Sequence, residues 1–220
     1  MTFSILAQDL GTGQCGGAAA TGALCVGGWV LRGDSRAGMS ASQGAAPSTL
    51  WGEDALEMMR AGAGAAQALN ALVAADRGRE HRQLALLDRA GTTAAHTGAR
   101  NTGWKGALAA PGLVVAGNML AGPQVLDALR DGFLAATGPL SARLLAALVS
   151  AQAAGGDIRG LQSAAILVVG NDAPPLSLRV DWAEDPIMSL SALHDRSQSG
   201  DYAAWLPTVP TRNTPERGHD

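Results

Sequence analysis

The order of the hydrophobic segments constrains this chain more than any single motif. Strand-like stretches come in consecutive groups, and so do helical ones. Phe3 to Asp9 is a short apolar run, Leu10 to Gly13 carries turn residues, and Gln14 to Ala20 returns, which reads as a β-hairpin. After a Gly-rich stretch reaching Gly44, Ser48 or Thr49 is placed to cap a helix over Leu50 to Arg60. Leu69, Leu72 and Val73 mark a second helix ending near Asp76. Arg82 to Leu87 and Thr92 to His96 flank the turn Asp88-Arg89-Ala90-Gly91 as a second hairpin, and Leu113 to Ala116 is a further strand. Helices return behind Pro123 and Pro139, carrying Val125, Leu126, Leu129 and Phe133, then Leu144, Leu145 and Leu148. Leu161 to Val169 and Leu176 to Asp181 close the strands, and Asp185-Pro186 is an N-cap and first-turn pair for a last short helix.

A parallel sheet requires βαβ alternation because its crossovers are long, whereas paired strands need only hairpins. The order ββ, αα, βββ, αα, ββ, α therefore predicts antiparallel sheets covered by helix layers. One domain is expected over 1–194. A polar tail follows over 195–220, with Pro207, Pro210 and Pro215, and Thr211 to Asp220 reads as loose. Alanine and glycine, 44 and 29 residues, make up a third of the 220, so elements must approach one another closely. A surface with few charges, and Trp29, Trp51 and Trp104 as candidates for exposure, points to a symmetric homodimer.

The 16 cationic residues, 15 of them Arg with the single Lys105, are spread thinly against 19 acidic ones. That balance lacks the basic footprint of a nucleic-acid binder. The longest apolar runs, Leu144 to Val149 and Ala164 to Val169, are too short to span a bilayer. The N-terminal MTFSILAQDL has no basic region ahead of its apolar part, so a cytoplasmic protein with no membrane partner is expected. Cys15, Cys25 and the histidines at 81, 96, 194 and 219 show no ligand spacing, and neither zinc nor an organic cofactor is expected. The two cysteines read as small buried thiols, or as one bridge in an oxidising compartment.

Gly11-Thr12-Gly13-Gln14-Cys15-Gly16 matches the dinucleotide-binding GxGxxG after a strand, and Asp34 lies where a ribose-binding acid would sit. The segment that follows, GAAATGALCVGG, is too rich in glycine for the required helix, and a hairpin turn accounts better for the glycines.

Further stretches carry a family likeness: the N-terminal MTFSILAQD, Asn70 to Asp88, His96-Thr97-Gly98, Gly117-Asn118-Met119-Leu120, Gly155 to Val169, and Leu178 to Asp181. Together they resemble an uncharacterised prokaryotic family, a domain of unknown function placed among the N-terminal-nucleophile (Ntn) hydrolase-like proteins. The likeness covers Met1 to about Leu193, with GGDIRGLQSAA a specific part of it. It implies an α+β fold, an αββα sandwich of two stacked antiparallel sheets between helix layers, and it implies no substrate. Many relatives have Cys after the HTG motif; this chain has Asn101, which excludes a thiol role there.

Thr2 follows Met1, and a small second residue permits removal of the initiator. A free α-amine could then serve as base for its own hydroxyl, or Thr2 could merely begin a strand. Asn118 could donate its side-chain amide to an oxyanion or serve as a loop residue before the helix at Pro123. His96 stands at a strand end as a possible proton carrier, or as a hydrogen-bonded structural histidine. Arg159 could fork onto a substrate carboxylate, or pair with Asp157 and pin the loop. Gln43 and Gln162 are candidate ligand contacts, Gln43 alternatively closing a turn. Asp181, Glu184 and Asp185 form an acidic cluster that could hold a cation, although helix capping already employs Asp185. The expected function is hydrolysis of a small amide or peptide-like metabolite, with Thr2, Asn118 and His96 as catalytic candidates. The alternative is a non-catalytic small-molecule-binding or assembly protein of the same fold.

Overall fold

The computed structural model describes Thr2 to Gly218. The first hairpin pairs β1 (Thr2–Asp9) with β2 (Gln14–Thr21), and its turn is closed by Asp9, whose carboxylate accepts the Thr12 N–H at 2.9 Å. That bond, more than any other, holds the Asp9 carboxyl below the usual carboxylate range. No helix follows the GxGxxG match: beyond β2 there is a single turn, α1 (Val26–Trp29). The hairpin reading of the glycines holds.

The Gly-rich stretch up to Gly44, to which the sequence reading assigns no element, holds two further strands, β3 (Leu31–Asp34) and β4 (Gly38–Gly44). Next come α2 (Thr49–Arg60), whose first turn gives the Trp51 N–H to the Ser48 hydroxyl at 3.3 Å, and α3 (Ala65–Ala75). Four strands follow: β5 (Arg82–Asp88), β6 (Thr93–Thr97), β7 (Trp104–Ala110) and β8 (Leu113–Leu120). Pro123 and Pro139 are the N-caps of α4 (Gln124–Ala135) and α5 (Leu140–Ala153). The series ends with β9 (Ser163–Val169), β10 (Leu176–Val180), α6 (Pro186–Ser197) and α7 (Gly200–Trp205). Asp185 caps α6 by accepting the Met188 N–H at 3.0 Å.

All strand pairings are antiparallel. A six-stranded sheet runs β10-β9-β2-β1-β8-β7 and a four-stranded sheet β3-β4-β5-β6. Alternation along each strand sorts the core into three layers. Phe3, Ile5, Val115 and Ile166 face outward from the larger sheet onto Leu126, Leu129, Leu144 and Leu148 of α4 and α5. Leu84 and Leu86 face outward from the smaller sheet onto Trp51, Leu56 and Leu69 of α2 and α3. Between the sheets, Leu6, Ala19, Val114 and Ala116 meet Met39, Ala41, Ala85 and Leu87. The result is an α+β fold of two antiparallel sheets with helices outside each. Close approach has a visible cause at Gly16, where a Cβ would lie 2.9 Å from a Leu144 methyl carbon, so α5 settles directly on β2.

Two expectations need correction. The polar segment 195–218 includes the end of α6 and all of α7, and in the stretch expected to be loose, which begins only at Thr211, Arg212 donates to the Ser35 hydroxyl at 2.6 Å beside the buried Thr211. His219 and Asp220 lie outside the described residues. Trp51, in the first turn of α2, is buried and Trp104 is half-buried rather than exposed, whereas Trp29, Trp182 and Trp205 are exposed.

Candidate functional site

At one end of the inter-sheet layer the apolar side chains give way to two facing polar rows. Residues opposed across an antiparallel pair share a face of the sheet, with Cβ atoms about 5 Å apart. On the larger sheet, Ser163 opposes Thr21, Thr21 opposes Thr2, and Thr2 opposes Asn118. On the smaller sheet, Gln43 opposes Gln83 and Gln83 opposes Thr97. Bonds cross the gap between the rows. The Asn118 amide donates to Gln83 at 3.2 Å, and the Gln83 amide reaches the Gly117 carbonyl at 2.9 Å.

Counting donors and acceptors fixes every amide in this cluster. Gln83 Nε2 lies on the Thr97 hydroxyl and on the carbonyl oxygens of Gly106 and Gly117, and a carbonyl can only accept. Gln83 Oε1 must then face Gln43 and Asn118, so both turn their NH₂ groups toward it, at 2.7 and 3.2 Å. Their own oxygens, Gln43 Oε1 and Asn118 Oδ1, are left buried without a partner among the described residues, as is Ser4 Oγ on the same face of β1. A buried polar group left without a partner costs about 1–3 kcal/mol.

Beside the rows lies a cavity of about 210 Å³ lined by Thr2, Thr21, Gln43, Ala23, Leu24, Val26, Trp29, Val30 and Pro47. The Thr2 hydroxyl donates to that of Thr21 at 3.1 Å, and both side chains are more than nine-tenths buried. Leu24 and Trp29 are about half exposed at the mouth. Two non-glycine residues with left-handed backbone border the site: Cys25 (φ 61°) in the cavity loop and Met119 (φ 56°) immediately after Asn118. Such conformations cost about 1–3 kcal/mol and gather where geometry serves function.

The turn at Gly155 to Gly160 closes the same end of the larger sheet. Asp157 bridges to Leu120 at the end of β8 and accepts the Gly22 N–H, just past β2, at 2.6 Å. Since β1 lies between β8 and β2, the turn sits over the end of the sheet where Thr2 begins. Gly22 admits no side chain, because a Cβ would meet the Gly160 carbonyl oxygen at 2.5 Å and Asp157 Oδ2 at 2.8 Å.

The sequence-derived candidates divide accordingly. Thr2, Asn118 and Gln43 are brought together. His96 is not: it opposes Leu84 on the outer face of the smaller sheet, with its ring 5.9 Å from that of Trp51 and Nε2 3.1 Å from the Arg79 carbonyl. A sheet's thickness separates it from the Gln83 row. Arg159 places its guanidinium on the Asp157 carboxylate at 3.2 Å and does not line the cavity, which is the bracing role rather than the anchoring one. Gln162 likewise braces, donating to the Gly22 carbonyl at 3.0 Å. Asp181 takes the Arg179 guanidinium and Asp185 caps α6. Among the described residues no three His, Cys, Asp or Glu side chains converge as metal ligands, and no helix is long and apolar enough to cross a membrane. Sequence reasoning missed Gln83, Thr21 and Thr97 as site residues. The available signal was a polar residue ending the inward-facing apolar alternation of each strand, as in Gln83 before Ala85 and Leu87.

A family of unknown function, DUF1028, matches residues 2–190, and the chain belongs to it. The crystal structure of protein SPO2555 from Silicibacter pomeroyi, described with the same family, is 50% identical to this chain. The likeness covers 100% of this chain and 99% of that one, with a TM-score of 0.95. No curated protein matches.

Proposed function

We propose that the protein is an amidohydrolase of the Ntn type, with Thr2 as nucleophile for a small amide. One observation carries this reading: the Thr2 side chain, at the start of the central strand β1, opens onto a cavity with Asn118 directly opposed to it. The order of helices and sheets described above supports placement among Ntn-hydrolase-like folds. Met1, which lies outside the described residues, must be removed for the mechanism to operate. The Thr2 α-amine, with an ordinary pKa of about 8, then takes the hydroxyl proton while Oγ1 attacks the amide carbonyl. Asn118 Nδ2 gives one hydrogen to Gln83 and has a second, which we assign to the oxyanion. Collapse expels the amine, which leaves with the proton held by the α-ammonium, and water hydrolyses the remaining Thr2 ester.

The alternative is a protein of the same fold that binds but does not hydrolyse. It is favoured by the buried, unpaired oxygens of Gln43 and Asn118, a polar cluster beside the cavity that needs no reacting group. Intact-mass measurement, with amide hydrolysis by the natural protein and by Thr2→Ala, separates the two. Loss of Met1 and a fall of at least ~10²-fold in Thr2→Ala are expected. Retained Met1 in protein that hydrolyses amides, or an unchanged rate in the variant, removes Thr2 from the mechanism.

A further inference from the structure

We infer that a second cavity, at the opposite end of the sandwich from Thr2, binds an organic carboxylate with an apolar body, the carboxylate being taken by the guanidinium of Arg212. Register fixes the position. Thr2 pairs with Thr21 at the end of β2, whereas this cavity is bounded by Val169, which pairs with Cys15 near the start of β2. Its volume is about 550 Å³, within the range of small-molecule sites. Three segments build it: the end of β3 with the turn that follows, the loop between β9 and β10, and the C-terminal stretch around Arg212. That stretch is tied to both of the others. Asn213 gives its backbone N–H to the Asn171 carbonyl at 3.3 Å and its side-chain amide to Asp172, while Arg212 Nε donates to the Ser35 hydroxyl at 2.6 Å.

The charges around the cavity choose an anion. Arg212 is exposed, and its Nη1 and Nη2 have no hydrogen bond or ion pair among the described residues. With Nε held by the buried Ser35, the guanidinium is oriented in advance, and the two Nη groups remain as a fork matched to the two oxygens of one carboxylate. The acid in the lining, Asp34, is already satisfied. Arg60 donates to its Oδ2, the Arg36 backbone N–H lies 2.7 Å from Oδ1 with Nε of the same residue at 3.6 Å, and the Asp34 side chain is only 8% exposed. A cationic ligand would have to compete with two guanidiniums, whereas an anion meets an open one. The rest of the wall is apolar: Val169, Ala173, Pro174, Pro175, Pro210 and Pro215. Prolines have no N–H to offer a second anionic group, and their fixed φ holds the wall in shape. One carboxylate on an apolar body fits this lining, and a phosphate, with more oxygens to satisfy and no use for an apolar wall, does not.

The test is titration of the natural protein at neutral pH with hydrocinnamate, hydrocinnamyl alcohol, acetate and inorganic phosphate, followed by amide-resolved NMR so that each ligand is placed as well as weighed. Hydrocinnamate is expected to shift the backbone amides of Ser35, Gly170 and Ala173. It should bind at least about tenfold more tightly than the alcohol, which lacks the charge, than acetate, which lacks the body, or than phosphate. Arg212→Gln, at an exposed position, should weaken hydrocinnamate binding at least about tenfold. Ala173→Phe, which fills the cavity and leaves the charge in place, should do the same and serves if the Arg212 variant does not fold. Thr2→Ala protein should bind hydrocinnamate as the natural protein does, so this result is independent of the amidohydrolase reading. Equal affinity for acid and alcohol, tighter binding of phosphate, undiminished binding in either folded variant, or shifts confined to Thr2, Thr21 and Trp29 would each overturn the inference, as would the absence of binding at about 10 mM.

Discussion

Thr2 and Asn118 oppose one another across β1 and β8, on the face of the larger sheet that meets Gln83 of the smaller one. Neither sheet alone makes a site of these residues. Stacking two sheets whose polar ends coincide buries a hydroxyl beside amides, away from water, where hydrogen bonds are stronger and orphans dearer.

Gln83 holds this arrangement together, so its loss should register in stability before it registers in chemistry. Gln83→Leu keeps the volume approximately but removes the acceptor shared by Gln43 and Asn118 and the donor to Thr97, Gly106 and Gly117. A destabilisation of about 2–4 kcal/mol is expected from the buried groups left unpaired. Urea unfolding midpoints measure it, and a loss below ~0.5 kcal/mol would show that the cluster does not organise the interface.

Asp157 and Arg159 should differ sharply although they form one ion pair. The Asp157 side chain is fully buried and also accepts the backbone N–H groups of Gly22 and Arg159, whereas the Arg159 side chain is 40% exposed. Asp157→Ala should cost about 2–4 kcal/mol and Arg159→Ala less than ~1 kcal/mol. An Arg159 variant as unstable as the Asp157 variant would contradict the bracing geometry.

What the sequence disclosed, and what it hid, follows from where each signal resides. Ser48, Pro139 and Asp185-Pro186 act on the next turn of chain, and the structure uses each where local chemistry puts it. β4 was hidden because Gly38–Gly44 has serines where a strand facing a helix usually carries large apolar residues. Ser40 and Ser42 face α2 and give their hydroxyls to the carbonyls of Gly52 and Ser48, so a buried face looks solvated on paper. β7, Trp104–Ala110, lacks β-branched residues altogether. Thr2, Asn118 and Gln43 were legible singly, as polar residues at the ends of apolar runs. Gln83 was not, since its meaning lies in partners 35 and 40 residues away on other strands.

The two thiols should react at very different rates. Cys15 is fully buried in the inter-sheet core, and burial pushes its pKa up against the opposing influence of Arg89. Cys25 is partly exposed in the cavity loop. Iodoacetamide on native protein should therefore add one group, at Cys25, with Cys15 modified only in urea. Peptide mapping that finds both modified together under native conditions would contradict the buried placement of β2.

Acid should weaken the junction of α3 with the smaller sheet through Asp76. Its carboxylate accepts from the Arg82 guanidinium, first among the influences that hold its pKa below the ordinary value, and then from the Gly78 backbone N–H at 2.6 Å. Arg82 in turn donates to the Ala46 carbonyl and lies over the Trp51 ring, so one carboxylate links α3, β5 and the approach to α2. A carboxyl depressed on folding adds stability that is present above its unfolded pKa and disappears as pH falls through its folded value. The natural protein should therefore lose this contribution progressively from about pH 5 to pH 2, while Asp76→Asn, which cannot ionise, starts about 1–2 kcal/mol lower at pH 7. The two stability curves should converge in acid, where both side chains are neutral. Urea titrations at steps across this range give the difference directly. Parallel curves, with the deficit of Asp76→Asn unchanged down to pH 2, would mean that the Asp76–Arg82 pair contributes nothing linked to ionisation.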